Sequence, residues 1–149
     1  VLIYRFSSNL FFANIQILTR DIEDNVSPET KAVILDAGGI GSIDITAADG
    51  LEMLYKSLKQ KNIRFYMTEH ISGLNEQLRK LGLGYMIEEG NVRRTIHIAL
   101  KDMGISRPYP LEGGVDNEER SASRKRADNR VQEFVWAFGS ETENISGRK

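Results

Sequence analysis

Leu2, Tyr4 and Phe6 alternate with Val1, Ile3 and Arg5 at the start of the chain, a period of two that predicts a β-strand. Ser7-Ser8-Asn9 turns the chain, and Leu10-Phe11-Phe12 reads as a short second strand. The period then changes. Ile15, Leu18, Ile22 and Val26 fall on one helical face behind Asn14 as N-cap, and Ser27-Pro28 stops that helix. A β-branched run, Ala32–Leu35, predicts the third strand. Ala47, Ala48, Leu51, Leu54, Tyr55 and Leu58 form a wide helical stripe with Lys56 opposite. Ile63–Met67 predicts a fourth strand, and Ser72 caps a short helix carrying Leu74, Leu78 and Leu81 before Gly82 and Gly84. Tyr85-Met86-Ile87 reads as a fifth, short strand. A last helix is predicted from about Asn91, with Val92, Ile96, Ala99, Leu100 and Met103 on one side, ending at Gly104 and Pro108. A hairpin-like start followed by alternating strands and helices predicts an α/β sheet, mostly parallel beyond the hairpin.

The pattern breaks after Pro108. Residues 111–130 carry few large apolar side chains and dense mixed charge, so 107–130 is expected to be a polar linker. Val131, Phe134, Val135 and Phe138 recur at helical spacing, and 131–149 is expected to hold a short amphipathic helix and a disordered tail. Residues 1–106 form the expected domain. A chain that opens inside a strand reads as part of something longer, since natural termini are usually polar and frayed.

Composition narrows the function classes. The 149 residues include 40% hydrophobic residues, enough for a core, and a net charge of −1 with no broad basic field for nucleic acid. Cysteine is absent, which excludes disulfides, thiolate chemistry and Cys-based zinc sites. No stretch approaches the roughly 20 consecutive apolar residues needed to span a bilayer.

Candidate chemistry gathers between the third strand and the stripe helix. Gly38, Gly39, Gly41 and Ser42 make a bend, and Asp44-Ile45-Thr46 opens the helix. Unpaired N–H groups and the dipole at a helix N-terminus favour anions. Asp44 is placed as an N-cap, taking the N–H of Thr46 or Ala47, which holds the Thr46 hydroxyl near solvent. The bend lacks the full G-x-G-x-x-G fingerprint and any Walker lysine, so GTP or ATP binding is a weak reading, and no cofactor is expected. His70 and His97 have neither a Cys partner nor H-E-x-x-H spacing, and Asp36 with Asp44 suits hydrogen bonding better than acid–base work. The chain offers no enzyme. Arg124-Lys125-Arg126, behind Ser121 and Ser123, reads as a solvated segment, with attraction to an anionic inner leaflet as the functional alternative.

The order strand, strand, helix, strand, Asp-centred loop, helix, strand, helix, helix resembles the STAS domain over about residues 1–105. That fold is shared by bacterial anti-sigma-factor antagonists and the cytoplasmic C-termini of SulP anion transporters. In the antagonists the loop reads Asp-Ser-Ser-Gly, with its second Ser phosphorylated. Here Asp44-Ile45-Thr46-Ala47 keeps the Asp and puts Thr46 at the acceptor position, but Ile45 and Ala47 depart from that pattern. The departures look like the transporter branch, as does Phe11-Phe12-Ala13-Asn14 after the entry strand. The resemblance implies a STAS fold with a mixed, mostly parallel sheet of four to five strands and packed helices. It implies a non-catalytic regulatory domain of a SulP-type transporter for sulphate or a related anion, at the cytoplasmic face of the inner membrane. Its partners would be the transmembrane domain of the same transporter, a second STAS copy or a soluble regulatory protein. Two alternatives stay open: a free-standing antagonist switched at Thr46, and a small nucleotide-binding module.

Overall fold

Four strands, all pairing in parallel, lie in the order β3-β2-β1-β4. They are β1 (Leu2–Phe6), β2 (Ala32–Asp36), β3 (Arg64–Thr68) and β4 (Val135–Gly139). The computed structural model describes residues 1–105 and the strand 135–139. Among the described residues five helices accompany the sheet: α1 (Ile15–Asn25), α2 (Ile45–Gln60), α3 (Leu74–Lys80), α4 (Gly84–Glu88) and α5 (Ile96–Asp102).

Parallel pairing requires a crossover between strands, and α1 and α2 supply the first two. Side chains on alternate positions point to opposite faces. Leu2, Tyr4, Phe6, Val33, Leu35, Phe65 and Met67 pack with Leu18, Ile22, Leu51, Leu54 and Leu58 of α1 and α2 in the main core. Ile3, Ile34 and Tyr66 point the other way and are covered by Ala99 and Leu100 of α5. A sheet covered on both faces explains why β2 is buried at every position and reads as a continuous apolar run.

The apolar stripe of α2 holds throughout: Ala47, Ala48, Leu51, Leu54, Tyr55 and Leu58 are all buried. Other expectations are corrected. Among the described residues there is no hairpin and no antiparallel pair. Leu10-Phe11-Phe12 is not a strand. Only Leu10 bridges, to Ile43, because the Phe11 carbonyl already accepts the N–H groups of Asn14 and Ile15 and turns the chain into α1. Ser72 does not cap α3. Gly73 takes that place at φ +91°, a left-handed turn favouring glycine.

Tyr85-Met86-Ile87 is helical, within α4, since Leu83 and Met86 bury one helical turn apart. The last helix starts at Ile96 behind a Thr95 cap rather than at Asn91. Residues 91–94 instead run along the outer edge of β3: Met67 N–H donates to Asn91 O (2.8 Å) and Arg93 N–H to Met67 O (2.9 Å). The expected helix around 131–138 is corrected over 135–139, which form β4; a short apolar run of β-branched and aromatic residues fits either period. The expected linker at 107–130 and the tail 140–149 lie outside the described residues.

Two tyrosine–carboxylate bonds fasten α4 to α2. Tyr55 Oη donates to Glu89 Oε2 (2.5 Å), and Tyr85 Oη to Glu52 Oε1 (3.1 Å). Burial, then the Glu52 carboxylate, pushes the Tyr85 hydroxyl up to about 12 from its usual 10.0, and burial followed by Glu89 raises Tyr55. A raised folded-state value stabilises below the unfolded value and is lost as pH climbs through the folded one. The thermal unfolding temperature of wild type is therefore expected to fall between pH 10.0 and about 12, and this component is expected to be missing in Tyr85→Phe. Glu52, lowered mainly by its bond from Lys56 and then Tyr85, and Glu89, lowered mainly by Tyr55, act oppositely. Their support is present above the usual 4.5 and fades as pH drops below it.

Candidate functional site

The loops leaving the carboxyl ends of β1 and β2 interlock. Leu10 N–H donates to Ser42 O (2.9 Å), and Asp44 N–H to Leu10 O (3.0 Å). Asn9 reaches across with its side-chain Oδ1, accepting from both Gly41 N–H (2.9 Å) and Ser42 N–H (3.1 Å). Asn14, buried at the start of α1, holds Asn9 in turn: its Nδ2 donates to Asn9 O (2.7 Å) while its Oδ1 accepts from Phe11 N–H (2.9 Å). Gln77 of α3 closes the far side, accepting from Ile43 N–H (3.1 Å) and donating to Gly41 O (3.3 Å).

Gly39 is where the two loops touch. A Cβ there would stand 2.5 Å from Ser7 Cα and 2.9 Å from Phe6 O. Gly38 is exposed, and its N–H donates to Asp36 Oδ1 (3.0 Å). Asp36 is buried and also faces the Arg5 guanidinium (3.6 Å).

Asp44 uses both carboxylate oxygens. Oδ1 accepts from Ala47 N–H (2.7 Å), the predicted cap on α2, and Oδ2 accepts from Phe12 N–H (3.0 Å) in the other loop. The second bond ties the Phe12 backbone to the residue that precedes Ile45. Phe12 and Ile45 are apolar and mostly exposed, at 68% and 69%. Thr46 is exposed next to them, as is Ser42. Asp44→Ala is expected to lower stability by about 1–2 kcal/mol, with Asp44→Asn recovering most of it, as measured by urea unfolding.

The predicted site residues Gly38, Gly39, Gly41, Ser42, Asp44, Ile45 and Thr46 thus lie along the loop from β2 into the first turn of α2, exposed except for the half-buried Gly39 and Asp44. As a phosphate cradle it is poorly supplied. The N–H groups of Gly38, Ile40, Gly41, Ser42, Ile43, Asp44 and Ala47 already have partners. Asp36 and Asp44 serve separate partners and make no acid–base pair. His70 lies in the turn after β3, and His97 is exposed on α5. Among the described residues, no His, Asp and Glu cluster is placed to hold a metal ion.

The sequence reading missed Asn9, Phe12 and Gln77 as parts of this surface; Asn14 stands at the N-cap position of α1 as expected, but its side chain bonds Asn9 and Phe11 instead of capping the helix. The signal available was the Phe11-Phe12-Ala13-Asn14 run itself, whose two amide-bearing neighbours, Asn9 and Asn14, flank a turn.

Among the described residues no helix is long and apolar enough to cross a membrane. No curated protein matches the chain. Solved structures share its fold, among them three from anion-transporter proteins. The STAS domain of a SulP transporter from Vibrio cholerae is 21% identical, with 69% of this chain and 84% of that one covered at a TM-score of 0.55. A sulfate transporter family protein from Wolinella succinogenes is 18% identical, with coverage of 70% and 86% and a TM-score of 0.60. The murine anion transporter Slc26a9, in its inward-facing state, is 18% identical at a TM-score of 0.57; the match takes in 67% of this chain and only 17% of that one. The family profile described as the STAS domain matches residues 1–99, about two thirds of the sequence, and the chain belongs to the STAS domain family.

Proposed function

We propose that this chain is the cytoplasmic regulatory and docking domain of a SulP-type transporter for sulphate or a related anion. It works by binding, without chemistry of its own, at the inner face of the membrane. The partner is the transmembrane domain of the same longer protein, and the contact runs through the loop 38–46 and the exposed start of α2. The observation that carries this reading is the exposure of Phe12 and Ile45, two large apolar side chains left in solvent on segments that Asp44 ties together: it accepts the Phe12 N–H and directly precedes Ile45. An exposed apolar pair with a polar rim is a usual mark of an interaction surface. The shared fold with a SulP transporter's STAS domain supports the choice of partner.

A second reading has one observation in its favour. Thr46 is exposed on the first turn of α2, where an antagonist switched by phosphorylation would need its hydroxyl. An immunoblot of membrane and soluble fractions from the source cell separates the two. A membrane-bound band several times heavier than 16.8 kDa supports the transporter reading. A soluble band near that mass overturns it in favour of the antagonist.

A further inference from the structure

Three sides of α2 are occupied. Its apolar stripe lies in the main core. α1 runs along one flank, with Ile15 against Gly50 and the Ser57 hydroxyl donating to Glu23 Oε1 (3.4 Å). α4 and the residue after it hold the other flank, through Tyr85 on Glu52 and Glu89 on Tyr55. Asp49, Met53, Lys56 and Gln60 make up the fourth side, and all four are exposed. They follow one another at intervals of four, three and four residues, the spacing by which one helix presents a straight seam to another. Met53 is the most exposed large apolar side chain among the described residues, at 72%. Asp49 stands four residues before it and Lys56 three after it. The Asp49 carboxylate has no hydrogen bond or ion pair among the described residues, and Lys56 faces only Glu52 of its own helix (3.2 Å).

We infer that this side of α2 is a self-recognition surface, which pairs antiparallel with α2 of a second copy about a two-fold axis at Met53. The charges select both the occupant and the direction. A two-fold axis there sets Met53 on its equivalent and brings residue 49 of each copy beside residue 56 of the other, to within about 1.5 Å along the helix. Each Asp49 then meets a Lys56, at both ends of the seam. Parallel pairing would instead set Asp49 on Asp49 and Lys56 on Lys56, which like charges oppose. Methionine suits the centre, since its unbranched side chain adapts to what it packs on. The seam is about 17 Å long, smaller than the interface of a stable complex. Pairing is therefore weak and reversible, and it grows where copies are held close together. The inference does not rest on the transporter reading, whose contact lies in the loop 38–46 and the start of α2.

The chain has no cysteine, so one introduced thiol reports on pairing. Full-length Met53→Cys puts two thiols across the axis. Lys101→Cys, exposed on α5 behind the sheet, measures chance encounter. Both are oxidised over a range of protein concentrations, and a melt of each reduced chain checks the fold. Met53→Cys is expected to form disulfide dimer several-fold faster than Lys101→Cys, with the excess shrinking as salt is added. Equal rates overturn the surface.

Direction is read from charge. On the Met53→Cys chain, Asp49→Lys sets a second positive charge against each Lys56 and is expected to slow cross-linking several-fold. Adding Lys56→Asp restores opposite charges and is expected to restore the rate. A swapped chain as slow as the single substitution overturns antiparallel pairing. Mixed Asp49→Cys and Lys56→Cys chains give a reading that leaves Met53 in place. Mixed dimer is expected to exceed either variant's own dimer, and own dimers that equal or outnumber it overturn the two-fold axis at Met53.

Discussion

Gly39→Ala is expected to destabilise the domain by about 2–3 kcal/mol, a large loss for a single methyl group. The added carbon would meet Ser7 Cα at 2.5 Å and Phe6 O at 2.9 Å. Both are backbone atoms at the end of β1, so neither can rotate away. Relief would require the β1 and β2 loops to separate, which would stretch the paired bonds between Leu10, Ser42 and Asp44 and the grip of Asn9 on Gly41 and Ser42. The neighbouring Gly38→Ala provides the contrast. Its nearest atom is a side-chain oxygen of Asp36 at 3.1 Å, so a distinctly smaller loss is expected. Urea unfolding of the two variants beside wild type makes the comparison. Equal losses would mean that the loops are not held against each other as described.

The largest functional effect is expected at Ile45 and Phe12. Ile45→Asp, alone or with Phe12→Ser, is expected to weaken binding to the transmembrane part of the longer protein at least tenfold, about 1.4 kcal/mol. Folding stability is expected to hold within about 0.5 kcal/mol, because both side chains are mostly exposed. An acidic residue on the first turn of α2 also complements the helix dipole, so Ile45→Asp carries no helical penalty there. Fluorescence anisotropy of the labelled domain against the solubilised membrane part reads the affinity, and a thermal melt reads the stability. Unchanged affinity in the double variant would move the docking surface elsewhere. A drop in the melt as well would mean that the pair supports the fold.

The elements legible in the sequence are those whose burial is periodic over several turns. The α2 stripe and the Ala32–Leu35 strand come out as read because each residue's surroundings follow from its spacing. The Asp44 cap is legible for the same reason: its partner, Ala47, is three residues away. The rest of the site depends on contacts between segments about 32 residues apart, such as Phe12 with Asp44 and Asn9 with Gly41. Local spacing carries no trace of these. Short apolar runs misled for another reason. Tyr85-Met86-Ile87 and 135–138 are too short for a period of two and one of 3.6 to be told apart, and the partner element decides. Met86 enters the main core on a helix, whereas 135–139 find an open strand.

Trp136, the chain's only tryptophan, stands opposite Ile3 on β4. β4 joins β1 from more than a hundred residues further along the chain, so its pairing closes a longer loop than the crossovers through α1 and α2 and costs more conformational entropy. An unfolding curve from intrinsic fluorescence, set beside one from far-ultraviolet dichroism, therefore asks whether the last strand leaves with the helices, and two separate midpoints would mean that it leaves on its own.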